Sequence, residues 1–456
     1  MEVPEIALTF KVTRQDPELL PPAEPTPHEF KSLSDIDDQP GLRFHVPIIQ
    51  FYRKKPYMEG KDPVRVIRAA VSRALVYYYP LAGRLREVTG GKLVVECTGE
   101  GVLFIEADAD VALQEFGDSP QPPFPCFEEL LYDVPGSGDI TNSPLILIQV
   151  SRLKCGGFII GWRVNHIMGD GAGLVQLMSA VGEFSRGDRA PSIFPVWERH
   201  LLNARDPLKF RKYDPDAEGD PIPLDNNPVQ RCFFFGPAEI SALRRQLPSH
   251  YSTFDVVTGC LWRCRTAAIS TGPHQVFRVN CIVDCRKRFD PPLPGGYYGN
   301  VVVGPPAVSA AGELCSKPLE YAVELVRRAK SEATEEYVRV IAARGRVDDF
   351  RWVRNFVVSD LTSMGFEKVD YGWGEAVYGG NPVPINLVTS AVSSYTVWRN
   401  SEGERGVLVP MSLPANAMEV FAKELRVMVK GDNQPLTPIP MGRDRQHNMH
   451  FIKSGL

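Results

Sequence analysis

The histidine at position 166 has the setting in this sequence that best suits acid–base chemistry. It follows an apolar run and precedes a glycine-rich segment, and Asp170 stands four residues after it. A neutral imidazole at the exit of an apolar hairpin can take a proton from an incoming nucleophile near neutral pH. Asp170 could orient the imidazole ring, or it could turn away and pair with a distant arginine. The spacing alone decides nothing, because His-x-x-x-Asp recurs by chance in long chains.

Two further segments place polar groups among unusual neighbours. In the run from Asp370 to Gly374, two glycines alternate with large aromatic residues, and an acid at its start can accept backbone hydrogen bonds. On chemistry alone this pattern favours a packed turn. Arg286 lies in a charged run at the end of a predicted strand, where a solvated cluster is the usual interpretation. It could instead be the buried partner that Asp170 needs.

The elements around His166 can be predicted from the hydrophobic pattern. Leu145 to Leu153 and Phe158 to Asn165 are β-rich runs, and the four residues between them include two glycines. This pattern predicts a hairpin whose second strand ends just before the histidine. Glycines interrupt the pattern over 169–173, and helical spacing resumes at Leu174. His166 is therefore expected in a loop between a strand and a helix.

Helices and strands are predicted in both halves of the chain. The clearest helix covers 62–79, with Asp62 as its cap, Pro63 at its first position and Pro80 at its end. Other helices are predicted from Ser252 or Thr253 through Cys264, near Leu319 to Ala333, and over Asn416 to Met428; strands are predicted over Lys92 to Cys97, Gly101 to Ala107, Gln275 to Asp284, Ile385 to Trp398 and Gly406 to Pro410. This mixture predicts an α/β or α+β fold.

A proline-rich, charged stretch divides the sequence in two. From about Gly187 to Gln230 there is little sustained periodicity, and the 456 residues are enough for two large domains. We therefore predict an N-terminal domain over 1–187 with the His166 loop and a crossover linker over 188–230. A C-terminal domain over 231–456 would carry the Asp370 turn.

Composition narrows the class of protein. Hydrophobic residues make up 43% of the chain and charged residues 23%, which argues against a wholly disordered chain. The net charge of −4 and the absence of a long basic run argue against nucleic-acid binding. The apolar stretches are shorter than the ~20 residues that span a bilayer. The first residues lack the basic and apolar regions of a signal peptide. We expect a soluble cytosolic protein.

The cysteines do not resemble a disulfide framework or a metal site. There are nine of them, an odd number spread thinly along the chain. The pairs Cys260/Cys264 and Cys281/Cys285 each enclose three residues and lie in apolar segments, which is typical of small buried side chains and not of zinc ligands. We predict reduced cysteines and no metal.

Together, these segments resemble the plant BAHD acyl-CoA-dependent acyltransferases. His166 and Asp170 match the family's His-x-x-x-Asp signature, and residues 370–374 match Asp-Phe-Gly-Trp-Gly with tyrosine in place of phenylalanine. Tyr78 to Arg84 and Tyr298 to Asn300 also look like family segments. The similarity covers nearly the whole chain, with its motifs in the expected order.

The resemblance implies an architecture and a mechanism. Two chloramphenicol-acetyltransferase-like domains with mixed sheets would enclose a channel, which acyl-CoA and an alcohol enter from opposite faces. His166 would act as general base on the acceptor hydroxyl, with acyl-CoA as co-substrate and no bound cofactor. Asp170 would point away from His166 and pair with Arg286, so both would have orienting roles.

The resemblance also implies roles for the aromatic turn. Gly372 and Gly374 would shape it, and the Trp373 indole could donate a hydrogen bond to the tetrahedral oxyanion. Asp370 has sometimes been assigned a second acid/base role in such enzymes. Its turn lies apart from the histidine, so we favour a structural role while keeping it as a catalytic candidate.

Details of the sequence suggest a branch of the family. Segments 96–101, 261–266 and 295–300 look most similar to benzyl alcohol benzoyltransferases, fruit-ester alcohol acyltransferases and taxane acetyltransferases. That similarity implies benzoyl-CoA as the favoured donor, acetyl-CoA next, and a small or apolar alcohol such as benzyl alcohol. We expect a monomer. The terminal Ser454-Gly455-Leu456 resembles the Ser-Lys-Leu peroxisomal address, which makes the peroxisome the alternative to the cytosol.

Four alternatives remain open. One is an acetyltransferase acting on a diterpenoid or another specialised-metabolite alcohol. The second is a non-ribosomal condensation domain, although such a domain usually has a second histidine where this chain has Asn165. The third is a catalytically inactive binding relative, which would be expected to lack His166 or the Asp370 turn, whereas this sequence has both. The fourth is a metal-dependent hydrolase that uses His166 and Asp170, which would need further metal ligands at recognisable spacing.

Overall fold

The computed structural model describes residues 2–3, 8–117, 119–204, 228–245, 247–343, 355–382 and 392–430. The strands are β1 Glu2–Val3, β2 Val12–Arg14, β3 Glu18–Leu20, β4 Phe30–Ser32, β5 His45–Tyr52, β6 Arg84–Glu87, β7 Leu93–Glu96, β8 Val102–Ala109, β9 Ile146–Leu153, β10 Phe158–Asn165, β11 Val229–Phe235, β12 Val276–Asp284, β13 Val302–Val303, β14 Pro306–Ala310, β15 Asn355–Asp360, β16 Tyr378–Gly380, β17 Val392–Arg399 and β18 Arg405–Leu413. The helices are α1 Pro63–Tyr77, α2 Phe127–Leu130, α3 Gly171–Arg186, α4 Pro237–Arg244, α5 Thr253–Ile269, α6 Ala311–Ser316, α7 Leu319–Ser331, α8 Glu335–Ala343 and α9 Ala415–Lys430.

Two large mixed sheets organise the molecule. One has the strand order β16-β5-β10-β9-β8-β2, with β3 also pairing with β8. The other has the order β1-β11-β18-β17-β15-β12-β13, with β14 also pairing with β12. A third, smaller sheet has the order β4-β7-β6. The predicted mixed α/β class is confirmed.

Helix α1 forms where the capping pattern predicts it. The Asp62 carboxylate accepts a hydrogen bond from the Val64 backbone N–H at 3.2 Å, and Pro63 occupies the first position. The helix ends at Tyr77, two residues before the predicted end, because the segment Tyr79–Ala82 forms a 3-10 turn containing Pro80. Proline has no N–H to continue the α-helical pattern, so the chain tightens there.

The predicted hairpin before His166 is also confirmed. β9 and β10 pair antiparallel, with Phe158 opposite Arg152 and Val164 opposite Ile146. The predicted strand over 385–398 begins at Val392 in the described structure, and residues 385–391 lie outside the described residues.

Two short strands each pair with a strand from the other predicted half of the chain. β16, from the second half, pairs antiparallel with β5, and β1 pairs with β11 of the other sheet. Tyr371 and Trp373 pack in the same core cluster as Trp162 of the first half. The boundaries 1–187, 188–230 and 231–456 stay a prediction. Of the predicted linker, residues 205–227 lie outside the described residues.

The four cysteines considered as zinc ligands are core residues. Cys260 and Cys264 lie on α5, Cys281 lies on β12, and all three pack in the apolar cluster of the second half. Cys285 is buried in a separate apolar cluster. Burial raises the pKa of the Cys281 thiol to about 12, so it remains a protonated apolar side chain. Across the described ranges, no group of three or more His, Cys, Asp or Glu residues could hold a metal ion.

Candidate active site

His166 begins a short turn at the end of β10. The 3-10 segment His166–Met168 follows the strand, and the Asn165 side chain accepts from the Ile167 backbone N–H at 3.2 Å. The His166 backbone N–H donates to the Phe44 carbonyl at 2.9 Å. The Phe44 ring meets the imidazole edge-on, with centroids 5.1 Å apart. The imidazole is thus held between the strand end and an aromatic ring.

The Asp170 carboxylate pairs with Arg286. The Nη2 and Nη1 atoms of Arg286 lie 2.7 Å and 2.9 Å from the two carboxylate oxygens. The same carboxylate accepts the backbone N–H of Gly173 at 3.1 Å, which caps α3, and that of Val301 at 3.0 Å. Burial by itself lowers the pKa of Arg286, but the charge and hydrogen bonds of Asp170 outweigh it and raise that pKa. The carboxylate therefore fixes the loop and binds Arg286, not the imidazole.

The local environment keeps the imidazole neutral. Burial lowers the pKa of His166 from its usual value. The backbone of His166 itself, the Asp170 charge, the Asn300 side chain and the Asp37 charge partly oppose this effect, in that order. A neutral imidazole near pH 7 has a free ring nitrogen and can accept a proton. The electrostatics of the site are therefore those of a general base.

A cavity of about 180 Å³ adjoins His166. Its walls are mainly apolar and include Leu42, Phe44, Val46, Ile48, Val164, Leu174, Ile282, Val302, Val357, Leu361, Phe366 and Val392. Its polar lining includes Asn381, whose side-chain N–H donates to the Pro47 carbonyl at 3.0 Å. Such a cavity suits an apolar substrate that carries one reacting polar group.

Two serine hydroxyls face this cavity from neighbouring strands. Ser359 on β15 and Ser394 on β17 are register partners in a parallel pair, so their side chains point to the same face of the sheet. Neither hydroxyl hydrogen-bonds another group of the protein in the described structure. They are available as donors to a bound substrate.

The turn that begins at Asp370 lies away from this cavity. The backbone N–H groups of Gly372 and Gly374 both donate to one carboxylate oxygen of Asp370 at 2.7 Å. These glycines have φ of 104° and 77°, in the left-handed region that favours glycine. The Asp370 carbonyl accepts a hydrogen bond from Arg186 of α3. The carboxylate thus stabilises its own turn, and that turn is bonded to the helix that follows the His166 loop.

Trp373 is a packing residue in this structure. Its side chain is buried, and its ring meets that of Phe158 edge-on at 5.1 Å. Neither Trp373 nor Asp370 is among the described residues that line the cavity. The ring packs against the first strand residue of β10, and the indole contact with the oxyanion stays a prediction.

The structure thus brings together His166, Asp170 and Arg286, but not Asp370 or the residues of its turn. Sequence reasoning missed Ser359 and Ser394, since strand register alone makes them neighbours. Asn300 was noticed only as part of a recurring segment. Its side-chain N–H lies 2.8 Å from the His166 carbonyl.

Comparison with known proteins identifies the family. A model described as the Transferase family matches residues 10–428. Benzyl alcohol O-benzoyltransferase of Petunia hybrida is 56% identical over 441 residues, which are 94% of this chain and 95% of that protein. The Nicotiana tabacum protein of the same name is 55% identical over 439 residues, 93% of this chain and 95% of that protein. The crystal structure of vinorine synthase has a TM-score of 0.71 at 22% identity, covering 92% of this chain and 98% of that one.

The chain belongs to this transferase family, the BAHD acyltransferases. It is an acyl-CoA:alcohol O-acyltransferase, with acyl-CoA as co-substrate. The vinorine synthase match supports the two-sheet, chloramphenicol-acetyltransferase-like fold. Within the described segments, no helix is both long and apolar enough to cross a bilayer.

Proposed function

We propose that this protein transfers the benzoyl group of benzoyl-CoA to benzyl alcohol or a similar small alcohol. The observation that carries the proposal is His166, kept neutral by burial beside a small and mostly apolar cavity. The petunia and tobacco relatives, which share more than half of their residues with this chain, are named for this reaction. An aromatic ring can pack against such apolar walls, while the reacting hydroxyl lies beside the His166 imidazole.

The proposed reaction is a direct transfer with His166 as general base. A ring nitrogen of the imidazole takes the proton of the alcohol O–H while the alcohol oxygen attacks the thioester carbonyl carbon. In the tetrahedral intermediate the former carbonyl oxygen carries the negative charge. When the C–S bond breaks, the CoA thiolate leaves and takes the proton from the imidazolium. The ester and free CoA are the products, and no acyl-enzyme is formed.

Hydrogen-bond donors must face the oxygen that becomes negative. The hydroxyls of Ser359 and Ser394 suit this role, because they face the cavity side by side and have no other partner in the described structure. Asn381 also lines the cavity, but one of its two side-chain N–H groups is used by the Pro47 carbonyl. We assign the two serines to the oxyanion.

Asp170, Arg286 and the Asp370 turn would act through geometry. The ion pair fixes the start of α3 and the strand that ends at Asp284, so it joins the His166 loop to the other sheet. Gly372 and Gly374 let the Asp370 turn close on its own carboxylate, and Trp373 anchors it in the core. In this proposal Asp370 carries no proton.

The test is a matrix of acyl-CoA donors and alcohols on the purified chain, with free thiol as the readout. Acetyl, benzoyl and hydroxycinnamoyl donors would be combined with benzyl alcohol, short aliphatic alcohols and a bulky terpenoid alcohol. We expect thiol release that needs both substrates and is fastest with benzoyl-CoA and benzyl alcohol. Faster acetyl transfer to the terpenoid alcohol would replace the proposal with the acetyltransferase alternative. No release from any combination would favour the inactive binding relative.

For partners and location we propose a monomer in the cytosol that acts without nucleic acid or membrane. The net charge of −4 and the lack of a long basic run support the exclusion of nucleic acid. The peroxisome remains the alternative, and Ser454 to Leu456 lie outside the described residues. A fluorescent protein fused to the N-terminus would be imaged with and without Leu456. Movement from puncta to cytosol on deletion would support the peroxisome.

A further inference from the structure

A buried ion pair lies directly behind the His166 turn. Asp37 follows β4, and Arg199 begins the 3-10 segment Arg199–Leu202. Their side chains are 0% and 1% exposed, and the Arg199 Nη1 atom lies 2.8 Å from the Asp37 Oδ1 atom. The rings of Trp197, Tyr297 and Tyr298 surround the guanidinium, with centroids 4.3 to 5.6 Å from its central carbon. Neither residue lines the cavity in the described structure.

This ion pair and Asn300 bind every carbonyl of the histidine turn. The Arg199 Nη2 group donates to the Met168 carbonyl at 2.8 Å. The Asn300 side-chain N–H group donates to the carbonyls of His166 at 2.8 Å and Ile167 at 3.3 Å. Carbonyls at the end of a short helical segment otherwise lack partners within it. These contacts therefore fix the backbone from which the imidazole projects.

Asp37 in turn fixes Asn300. Its Oδ1 atom accepts the Asn300 backbone N–H at 2.9 Å and side-chain N–H at 2.8 Å, while its Oδ2 atom accepts from Ser34. Because the Asn300 nitrogen is committed to these acceptors, the orientation of its carboxamide is set. Its Oδ1 atom and the Nδ1 atom of His166 are both buried and lack a well-aligned hydrogen-bond partner in the described structure. The Asn300 side chain is near enough to the imidazole to raise the pKa of His166, as is the backbone of His166 itself.

We propose that the Asp37–Arg199 ion pair is a positioning device for the general base. It holds Asn300 and the turn so that the Asn300 oxygen stabilises a proton on the Nδ1 atom of His166, which leaves the Nε2 atom free to accept the proton of the alcohol. This rests on the function proposed above for the use of Nε2. The choice of ring nitrogen does not depend on that function.

The cost of burying charges favours a positioning role for this ion pair over a role in stabilising the fold. Burying two charges is costly, and replacing a buried ion pair with apolar side chains of similar size is often neutral or stabilising. A pair kept at this depth and bonded to the catalytic turn is therefore better explained by the geometry that it imposes. The charged groups that face the imidazole are Asp37, countered by Arg199, and Asp170, countered by Arg286.

The test replaces the ion pair with apolar residues in Asp37→Leu/Arg199→Met. We expect kcat to fall about 10- to 100-fold through misplacement of the base, while KM for benzoyl-CoA stays within about threefold. The acidic limb of the kcat/KM profile should move to lower pH, because Asp37 and the held Asn300 both favour the protonated imidazole. The matched control is Asp62→Asn/Arg152→Met, a partly buried pair that should leave the profile unchanged. Arg152 lies opposite Phe158, at the end of β10 away from His166.

Nitrogen-15 NMR of labelled histidines gives a readout that needs no substrate. With His166→Ala for assignment, His166 of the wild-type chain should carry its neutral proton on Nδ1, and the double variant should show a mixture of tautomers. If the double variant does not fold, Asp37→Asn is measured in the same way. This variant keeps an acceptor oxygen, so we expect a smaller loss of the Nδ1-protonated tautomer of His166.

A folded variant with the wild-type tautomer and pH profile would overturn the proposal, even if its stability had fallen. If the wild-type chain turns over no substrate, the proposed function fails, and the NMR result alone decides the positioning role.

Discussion

Replacing Asp170 with asparagine tests the ion pair that fixes the catalytic loop. The carboxylate receives four N–H groups, two from Arg286 and one each from Gly173 and Val301. An asparagine turns one acceptor oxygen into a donor that faces other donors, and it removes the charge that balances Arg286. Loss of one partner from a buried pair costs about 3–5 kcal/mol.

The expected loss is at the lower end of that range. Arg286 keeps Asp284, whose carboxylate lies 3.1 Å from Nη1, and it still donates to the Gly299 carbonyl at 2.7 Å. We therefore expect Asp170→Asn to lower the free energy of unfolding by roughly 3 kcal/mol and to lower kcat together with it. Urea unfolding and thiol release would be measured on the same preparations.

The matched control is Asp284→Asn, which removes the more exposed partner of the same arginine. We expect a change below about 1 kcal/mol, as for partly exposed ion pairs, with nearly unchanged activity. The reasoning would be refuted if Asp170→Asn kept wild-type stability and lost activity. Asp170 would then have to take part in proton transfer.

Three other predictions follow from the site. Ser359→Ala should lower kcat about 10²-fold with little change in KM, and Ser394→Ala should act similarly. A wild-type kcat in the double variant would show that the two serines do not stabilise the oxyanion. Asp370→Ala should reduce stability by about 1–3 kcal/mol because two backbone N–H groups lose their acceptor, and a loss of kcat without instability would restore its catalytic assignment. Because burial lowers the pKa of His166, the acidic limb of the kcat/KM profile should lie below about pH 6.5. The free energy of unfolding should fall as the pH drops through the same range, since the unfolded chain binds the proton more readily than the folded chain.

Local pattern was enough to locate the histidine loop. A hairpin, a cluster of glycines and a resumed helical period placed His166 between β10 and α3, and the structure has this order. The Asp62 cap and Pro63 likewise fixed the start of α1. In each case, residues close in sequence determine the structure, so the sequence is informative.

Contacts between distant segments could not be predicted from the residues. Ser359 and Ser394 become neighbours only through the register of two parallel strands that are separated by 35 positions in the sequence. Asp37, Arg199 and Asn300 come from three distant segments, and nothing in the sequence shows that they meet. The packing of Trp373 against Phe158 is a contact of the same kind, because it joins two segments that are far apart in the sequence.

The most direct test of the central claim is the rate of benzyl benzoate formation by wild type and His166→Ala. Both chains would receive benzoyl-CoA and benzyl alcohol at saturating concentrations, with far-UV circular dichroism to verify that the variant is folded. The general-base account predicts a rate lower by about 10²- to 10⁴-fold in the folded variant. A folded His166→Ala chain that forms the ester at a near wild-type rate would contradict the account.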